Sequence, residues 1–314
     1  MSSDYPIEFV DLRKEYGQFI AVDGLNLQIK RNSFTGLLGP NGAGKSTSLK
    51  ILTNLIHATS GHAYLNGADV TTDTKNALMG VGTVVETPEF YLYLTPRETF
   101  RYIGEIYGMS KESISSETHA ILEKVKMSEW ADKRLGTFSK GMRQRIALGL
   151  SLMNDPRIII LDEPTSGLDP RGMAEMREIL KNIRNDNHDL TILMSSHMMH
   201  EVTDLCDRVA MINHGKLLLH DDIERVIGGS DARTLVVKTV GVPDESVISA
   251  ISGLGNVKSA FRSGNEVIVK FSGEKEEEAE LFRQLAQLNI GVYSISESEN
   301  ALENRYLELI KESR

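Results

Sequence analysis

A single cysteine, Cys206, stands in 314 residues. That excludes an intrachain disulfide framework and any zinc site built from four cysteines, and it fits a reducing compartment. No apolar stretch approaches the roughly 18 residues that a bilayer-spanning helix needs. The start of the chain also lacks the basic and apolar regions of a secretion signal; MSSDYPIEFVDLRKEYG places Asp4, Glu8 and Asp11 there. Basic residues are in deficit, 35 Lys and Arg against 44 Asp and Glu, for a net charge of −9. No nucleic acid is expected as a partner on that balance, because neutralising phosphates takes clustered Lys and Arg. Repeats and low-complexity segments are missing as well. What remains is an ordinary globular composition, 40% apolar and 25% charged. At about 150 residues per domain the length predicts two domains, and the expectation is a soluble cytoplasmic protein.

The first two thirds alternate strands with helix-length segments, the pattern of a mainly parallel α/β sheet. IEFVDLRKEYG and LNLQIK read as half-buried strands, and Phe34 to Gly39 as a short buried one. A helix through SLKILTNLI follows. Another begins near Pro96, with Phe100, Ile103, Ile106 and Tyr107 at helical spacing, and a further one carries Ile121, Leu122 and Val125. Arg157 to Asp162 and Thr191 to Ser196 are continuous apolar runs of the kind that strands buried on both faces show. VAMI, followed by His214-Gly215-Lys216, predicts a strand entering a hairpin.

A boundary is expected near Gly228-Gly229-Ser230-Asp231. Beyond it the order reads strand 235–240, helix 245–251, strand 257–261, strand 266–271, helix 274–288 and strand 292–296, with a last helix over 301–311. The first six elements are βαββαβ, which predicts a small α+β ferredoxin-like module. Leu281, Leu285 and Leu288 share one face of its longer helix. Glu274, Glu276, Glu277 and Glu278 crowd the first turns of that helix, where acids suit the positive end of the dipole.

Gly39-Pro40-Asn41-Gly42-Ala43-Gly44-Lys45-Ser46-Thr47 fits the phosphate-binding pattern GxxxxGK[ST], with a strand before it and a helix after. Its glycines let consecutive N–H groups turn toward phosphate oxygens, and the helix N-terminus adds its dipole. Lys45 reaches the β- and γ-phosphates in such loops, and the hydroxyl at Ser46 ligates Mg²⁺. RIIILDEPTSGLDP ends a buried strand in two acids. Asp162 is expected to reach Mg²⁺, and Glu163 to point to the opposite side, toward an attacking water. Adjacent acids closing an apolar strand are costly unless they meet a cation or do chemistry. A third strand ends at His197. His197-x-x-His200 alone offers too few ligands for a metal site, and Cys206 reads as a small buried residue.

Together these motifs resemble the nucleotide-binding subunit of an ATP-binding-cassette (ABC) transporter over roughly residues 5 to 225. Phe138-Ser139-Lys140-Gly141-Met142-Arg143-Gln144 stands where that family has its LSGGQ signature. Ser166-Gly167-Leu168-Asp169 resembles the D-loop, Ser196-His197 the switch histidine, and Tyr16 the aromatic residue that stacks on adenine. The resemblance implies a P-loop ATPase cassette over 5–228, with a mixed sheet core and a helical subdomain at about 95–153. It implies a C-terminal accessory domain over 232–314.

It also implies two cassettes, identical or close paralogues, that pair head to tail around two ATP molecules. Ser139 and Gly141 then contact the γ-phosphate on the opposite loop. Glu163 polarises water, His197 binds the γ-phosphate, and Asp169 couples the sites. ATP and Mg²⁺ are the implied ligands, with Ser46, Asp162 and Glu86 on the metal. Glu86 departs from the family, which usually has a glutamine there. Its context, VVETPEFYLYLTPRE, is similar to a branch with bacitracin- and lantibiotic-resistance exporters. Lys140 and Met142 also depart, replacing a Gly and a Gln. The implied protein is an ATPase on the inner face of the cell membrane, driving a separate transmembrane permease, with export as the expected direction. A cassette ATPase of translation or DNA repair is the competing reading, and a ligand-sensing role for the C-terminal module a third.

Overall fold

The computed structural model describes residues 4–228, 233–273, 275–288 and 290–297, and positions 302, 303, 305, 306 and 309. In chain order, the elements begin with β1 (Ile7–Tyr16), β2 (Phe19–Ile29), β3 (Phe34–Leu38), α1 (Lys45–Leu52), β4 (Ser60–Leu65) and β5 (Ala68–Asp69). Next come α2 (Thr74–Ala77), β6 (Val81–Val84), α3 (Pro96–Ile106), α4 (Lys111–Lys124), α5 (Lys140–Ser151) and β7 (Ile158–Asp162). α6 (Pro170–Asp186), β8 (Thr191–Ser196), α7 (Met199–Leu205), β9 (Arg208–Asn213), β10 (Lys216–Asp222) and α8 (Ile223–Gly228) follow. The chain divides into two compact units, Met1–Asp221 and Asp222–Glu312. Of the expected linker, Gly229, Ser230 and Asp231 lie outside the described residues.

The first unit holds two sheets. One is antiparallel, in the order β2-β1-β4-β5, and the other runs β10-β9-β3-β8-β7-β6. The pairs β3–β8, β3–β9, β7–β8 and β6–β7 are all parallel. β3 and β8 are buried at every position, as strands covered on both faces are. β4, β5 and β6 are elements the sequence pattern did not announce.

Local chemistry sets the helix starts. Thr95 and Glu98 form a reciprocal capping box ahead of Pro96 on α3, satisfying two otherwise unpaired amides. Ser110 caps α4. Phe100, Ile121 and Ile146 bury one face each of α3, α4 and α5.

β9 and β10 join through His214 and Gly215, at φ 47° and 77°, the paired positive φ values of a type I′ turn. Gly215 also sits at a junction. Its carbonyl accepts from Asp23 N at 3.0 Å and its N–H donates to Ala43 O at 2.9 Å. A Cβ at Gly215 would lie 2.9 Å from the backbone of Val22 and Asp23.

The second unit contains β11 (Arg233–Thr239), α9 (Glu245–Ser252), β12 (Val257–Ser263), β13 (Glu266–Phe271), α10 (Lys275–Gln287) and β14 (Val292–Glu297). Its antiparallel sheet has the order β12-β13-β11-β14. Leu235, Val237, Val267, Val269 and Phe271 close one face over Ile251, Leu281 and Leu285. Glu274, expected at the start of α10, lies outside the described residues. So does most of the expected last helix, of which the described positions are helical.

Candidate functional site

The phosphate-type loop, Gly39 to Gly44, leaves the end of β3 and enters α1. Two of its glycines have no room for a side chain. A Cβ on Gly39 would lie 2.4 Å from Ile212 O, and one on Gly44, at φ 103°, 2.4 Å from Ala21 O. Lys45 opens α1 and is only 4% exposed. Its ammonium donates to Gly39 O at 2.8 Å and Pro40 O at 3.1 Å. It also pairs with Glu163 Oε1 at 3.4 Å. Burial holds Lys45 below the usual lysine pKa, opposed by the charges of Glu163 and Asp162. The backbone N–H groups of Lys45, Ser46 and Thr47 have no partner within the helix, as helix geometry dictates, and the dipole there favours an anion.

β7 and β8 bring the acids to this loop. Parallel pairing sets Asp162 opposite Ser195. Ser195 is fully buried, and its Oγ donates to Asp162 Oδ1 at 2.5 Å while accepting from Glu163 N at 2.9 Å. Ser46 Oγ donates to the same Asp162 oxygen at 3.0 Å. One buried hydroxyl thus fixes one acid's side chain and the other's backbone.

The expected alternation stops after Asp162. Glu163 has φ 46°, a left-handed conformation uncommon for a non-glycine residue and typical of constrained sites. Its carboxylate therefore does not turn to the far side. Oε1 lies 3.4 Å from Lys45 Nζ and 3.2 Å from His197 Nδ1.

His197 follows a second buried serine. Ser196 Oγ donates to Glu201 Oε2 at 2.9 Å and accepts from Met198 N at 2.9 Å, anchoring the residues on both sides of the histidine. Ser195 and Glu201 did not stand out in the sequence, and Ser196 did so only as the neighbour of His197. The available signal was a pair of serines closing an apolar strand, since buried hydroxyls require partners. Among the described residues no group of three or more His, Cys, Asp or Glu could hold a metal ion. Cys206 is buried, and burial raises its thiol pKa well above the usual value.

A second group of expected residues gathers at two helix starts. Ser139 caps α5, accepting from Met142 N at 3.2 Å. Asp169 caps α6, accepting from Gly172 N at 2.9 Å. Ser139, Gly141 and Asp169 line one cleft with Trp130. Tyr16 and Glu86 are engaged elsewhere. Tyr16, half-exposed at the end of β1, has Lys14 Nζ 5.0 Å from its ring centroid. Glu86, at φ 70° just beyond β6, is paired with the ammonium of Lys50 on α1.

Residues 22–166 match the family model described as ABC transporter. The chain is 40% identical over 212 residues to the bacitracin transport ATP-binding protein of Bacillus licheniformis, covering 68% of each chain. It is 31% identical over 304 residues to the linearmycin resistance ATP-binding protein of Bacillus subtilis (strain 168), covering 95% of this chain and 96% of that one. A solved structure, cbiO1 from Clostridium perfringens, part of the ABC transporter complex cbiONQ, matches with a TM-score of 0.63 at 25% identity. That match covers 72% of this chain and 92% of cbiO1.

Proposed function

We propose how this chain works from what it is: it belongs to the ABC transporter family of ATP-binding proteins. It is an ATPase. The observation that carries the mechanism is the convergence of Lys45, Ser46, Asp162, Glu163 and His197 where α1, β7 and β8 meet. Lys45 is a buried cation compensated by Glu163, and an incoming γ-phosphate competes for it. Once the phosphate takes Lys45, the Glu163 carboxylate is released to orient a water and accept its proton. That water attacks the γ-phosphorus as the bond to the bridging oxygen breaks and ADP leaves. His197, with Nδ1 3.2 Å from Glu163 Oε1, stands where a ring N–H can donate to the γ-phosphate. Ser195 keeps both acids in register throughout. The half-exposed Tyr16 ring serves as the adenine platform.

Mg²⁺ fits the donors present, a hydroxyl and a carboxylate oxygen 3.0 Å apart, which are the hard oxygens this ion takes beside phosphates and water. Ser46 and Asp162 would hold it, with Glu86 reaching it only on leaving Lys50. When bound, the ion neutralises phosphate charge.

Two copies, or this chain and a close paralogue, close head to tail so that Ser139, Gly141 and Asp169 complete the partner's site. Loss of the γ-phosphate opens the pair and moves a separate membrane permease, in the export direction. No described helix is long and apolar enough to cross a membrane, and the proposed location is the inner face of the cell membrane. The relatives named for bacitracin transport and linearmycin resistance favour transport over translation or repair.

Glu163→Gln tests the reading. ATP turnover should fall about 10³-fold, the scale of losing a general base, while ATP binding persists and the variant elutes as a dimer with ATP and Mg²⁺. Turnover at the wild-type rate would remove Glu163 from the chemistry.

A further inference from the structure

Lys140 occupies an electrostatically poor position. It is the first residue of α5, directly after the cap, and the first turn contains no acid. A cation there opposes the helix dipole. Its partner lies 26 residues away, where Nζ donates to the carbonyl of Ser166 at 2.9 Å. The next residue, Gly167, has φ 69°, and a Cβ on it would sit 2.3 Å from that same Nζ. The lysine thus lies across the loop in the space a side chain at 167 would need. Gly141 and Leu168 line the same cleft as Lys140 and Gly167. The loop's own bonds are short turns, Ser166 N to Glu163 O at 3.0 Å and Leu168 N to Thr165 O at 3.2 Å.

We infer that Lys140 is a positioning residue that straps the loop Ser166–Asp169 to the first turn of α5. Ser139, Gly141 and Asp169 are then presented to the partner's nucleotide as one edge. The strap itself is a feature of the single chain; its use rests on the head-to-tail pairing proposed above. A lysine reaching the partner's phosphates is the rival role, and it would leave the loop untouched in the isolated chain.

Hydrogen exchange on the full-length protein without nucleotide decides the first point. Lys140→Met should speed exchange of the Leu168 and Gly172 amides about threefold, the scale of one exposed hydrogen bond. The β7 amides should not change, and Lys140→Arg should restore protection. Unchanged exchange at Leu168 and Gly172 overturns the strap, whatever the pairing does.

A double-mutant cycle in the Glu163→Gln background decides the second. Lys140→Met and Asp169→Ala should each shorten the lifetime of the ATP-held dimer by about threefold, and the pair together no more than the worse of them, because the strap acts through the position of Asp169. Multiplicative effects would place Lys140 on the partner's phosphates and overturn the strap's use in pairing. A Glu163→Gln protein that never pairs would sink the pairing alone, and the exchange result would still stand.

Discussion

Lys45 and Lys140 are both the first residue of a helix entered from a loop, yet they live in opposite settings. Lys45 is 4% exposed, faces a carboxylate and two carbonyls, and is flanked by hydroxyls bridging three segments of the fold. Lys140 is exposed and answers to one carbonyl. The contrast extends to their surroundings. Around Lys45, groups distant in sequence compensate one another, because a buried charge left alone costs several kcal/mol. Around Lys140, Ser139 and Asp169 cap their own helices three residues on, which suffices where water can reach. One edge of the site is charged and finished within the chain; the other is a lightly held edge suited to meet a second body.

That contrast sets the size of mutational effects. Lys45→Ala leaves Glu163 without its buried cation and removes the charge-assisted bonds to phosphate. ATP affinity, titrated with a fluorescent analogue, should fall by at least about 100-fold. Ser195→Ala leaves Asp162 Oδ1 and the Glu163 amide short of a partner. Denaturant unfolding should show a loss of about 1–3 kcal/mol, with turnover reduced beyond what the lost folded fraction explains. Ser139→Ala removes a cap worth about 1 kcal/mol; it should weaken ATP-driven pairing while leaving the single chain's ATP affinity unchanged. Equal loss of single-chain affinity in the Lys45 and Ser139 variants would erase the distinction between the edges.

The smallest effect belongs to Glu86→Gln. Since Lys50 already offsets the Glu86 charge, ATP binding in chelator should strengthen by no more than about threefold, the modest scale of an exposed ion pair. A tenfold or larger gain would mean that Glu86 faces the phosphates and not Lys50.

Much of this was legible in the residues. The strands β3, β7 and β8 are continuous apolar runs that only a doubly covered sheet accommodates, and the loop from Gly39 to Ser46 carries its own chemistry. The missed elements have no such signature. β6 is four residues, VGTV, and is fixed by pairing to β7. β4 is held by β1, whose matching residues lie about fifty positions earlier. Strict alternation misdirected Glu163 because it assumes extended backbone, and the chain turns left-handed at that residue. The partners of Lys140 and Glu86 were hidden for a related reason: ion pairs and single hydrogen bonds across long sequence separations leave no periodic trace.

Gly215 carries one further consequence. Its N–H holds Ala43 of the phosphate loop, its carbonyl holds Asp23 of β2, and its own turn joins β9 to β10. Three stretches of chain are therefore spliced at one residue, each with its spacing dictated by the other two. Loop length elsewhere can drift at little cost, since closure entropy grows only slowly with added residues. Here a single inserted residue in any of the three stretches would slide the nucleotide loop off its mooring, so evolution can retune this junction by substitution but not by lengthening it.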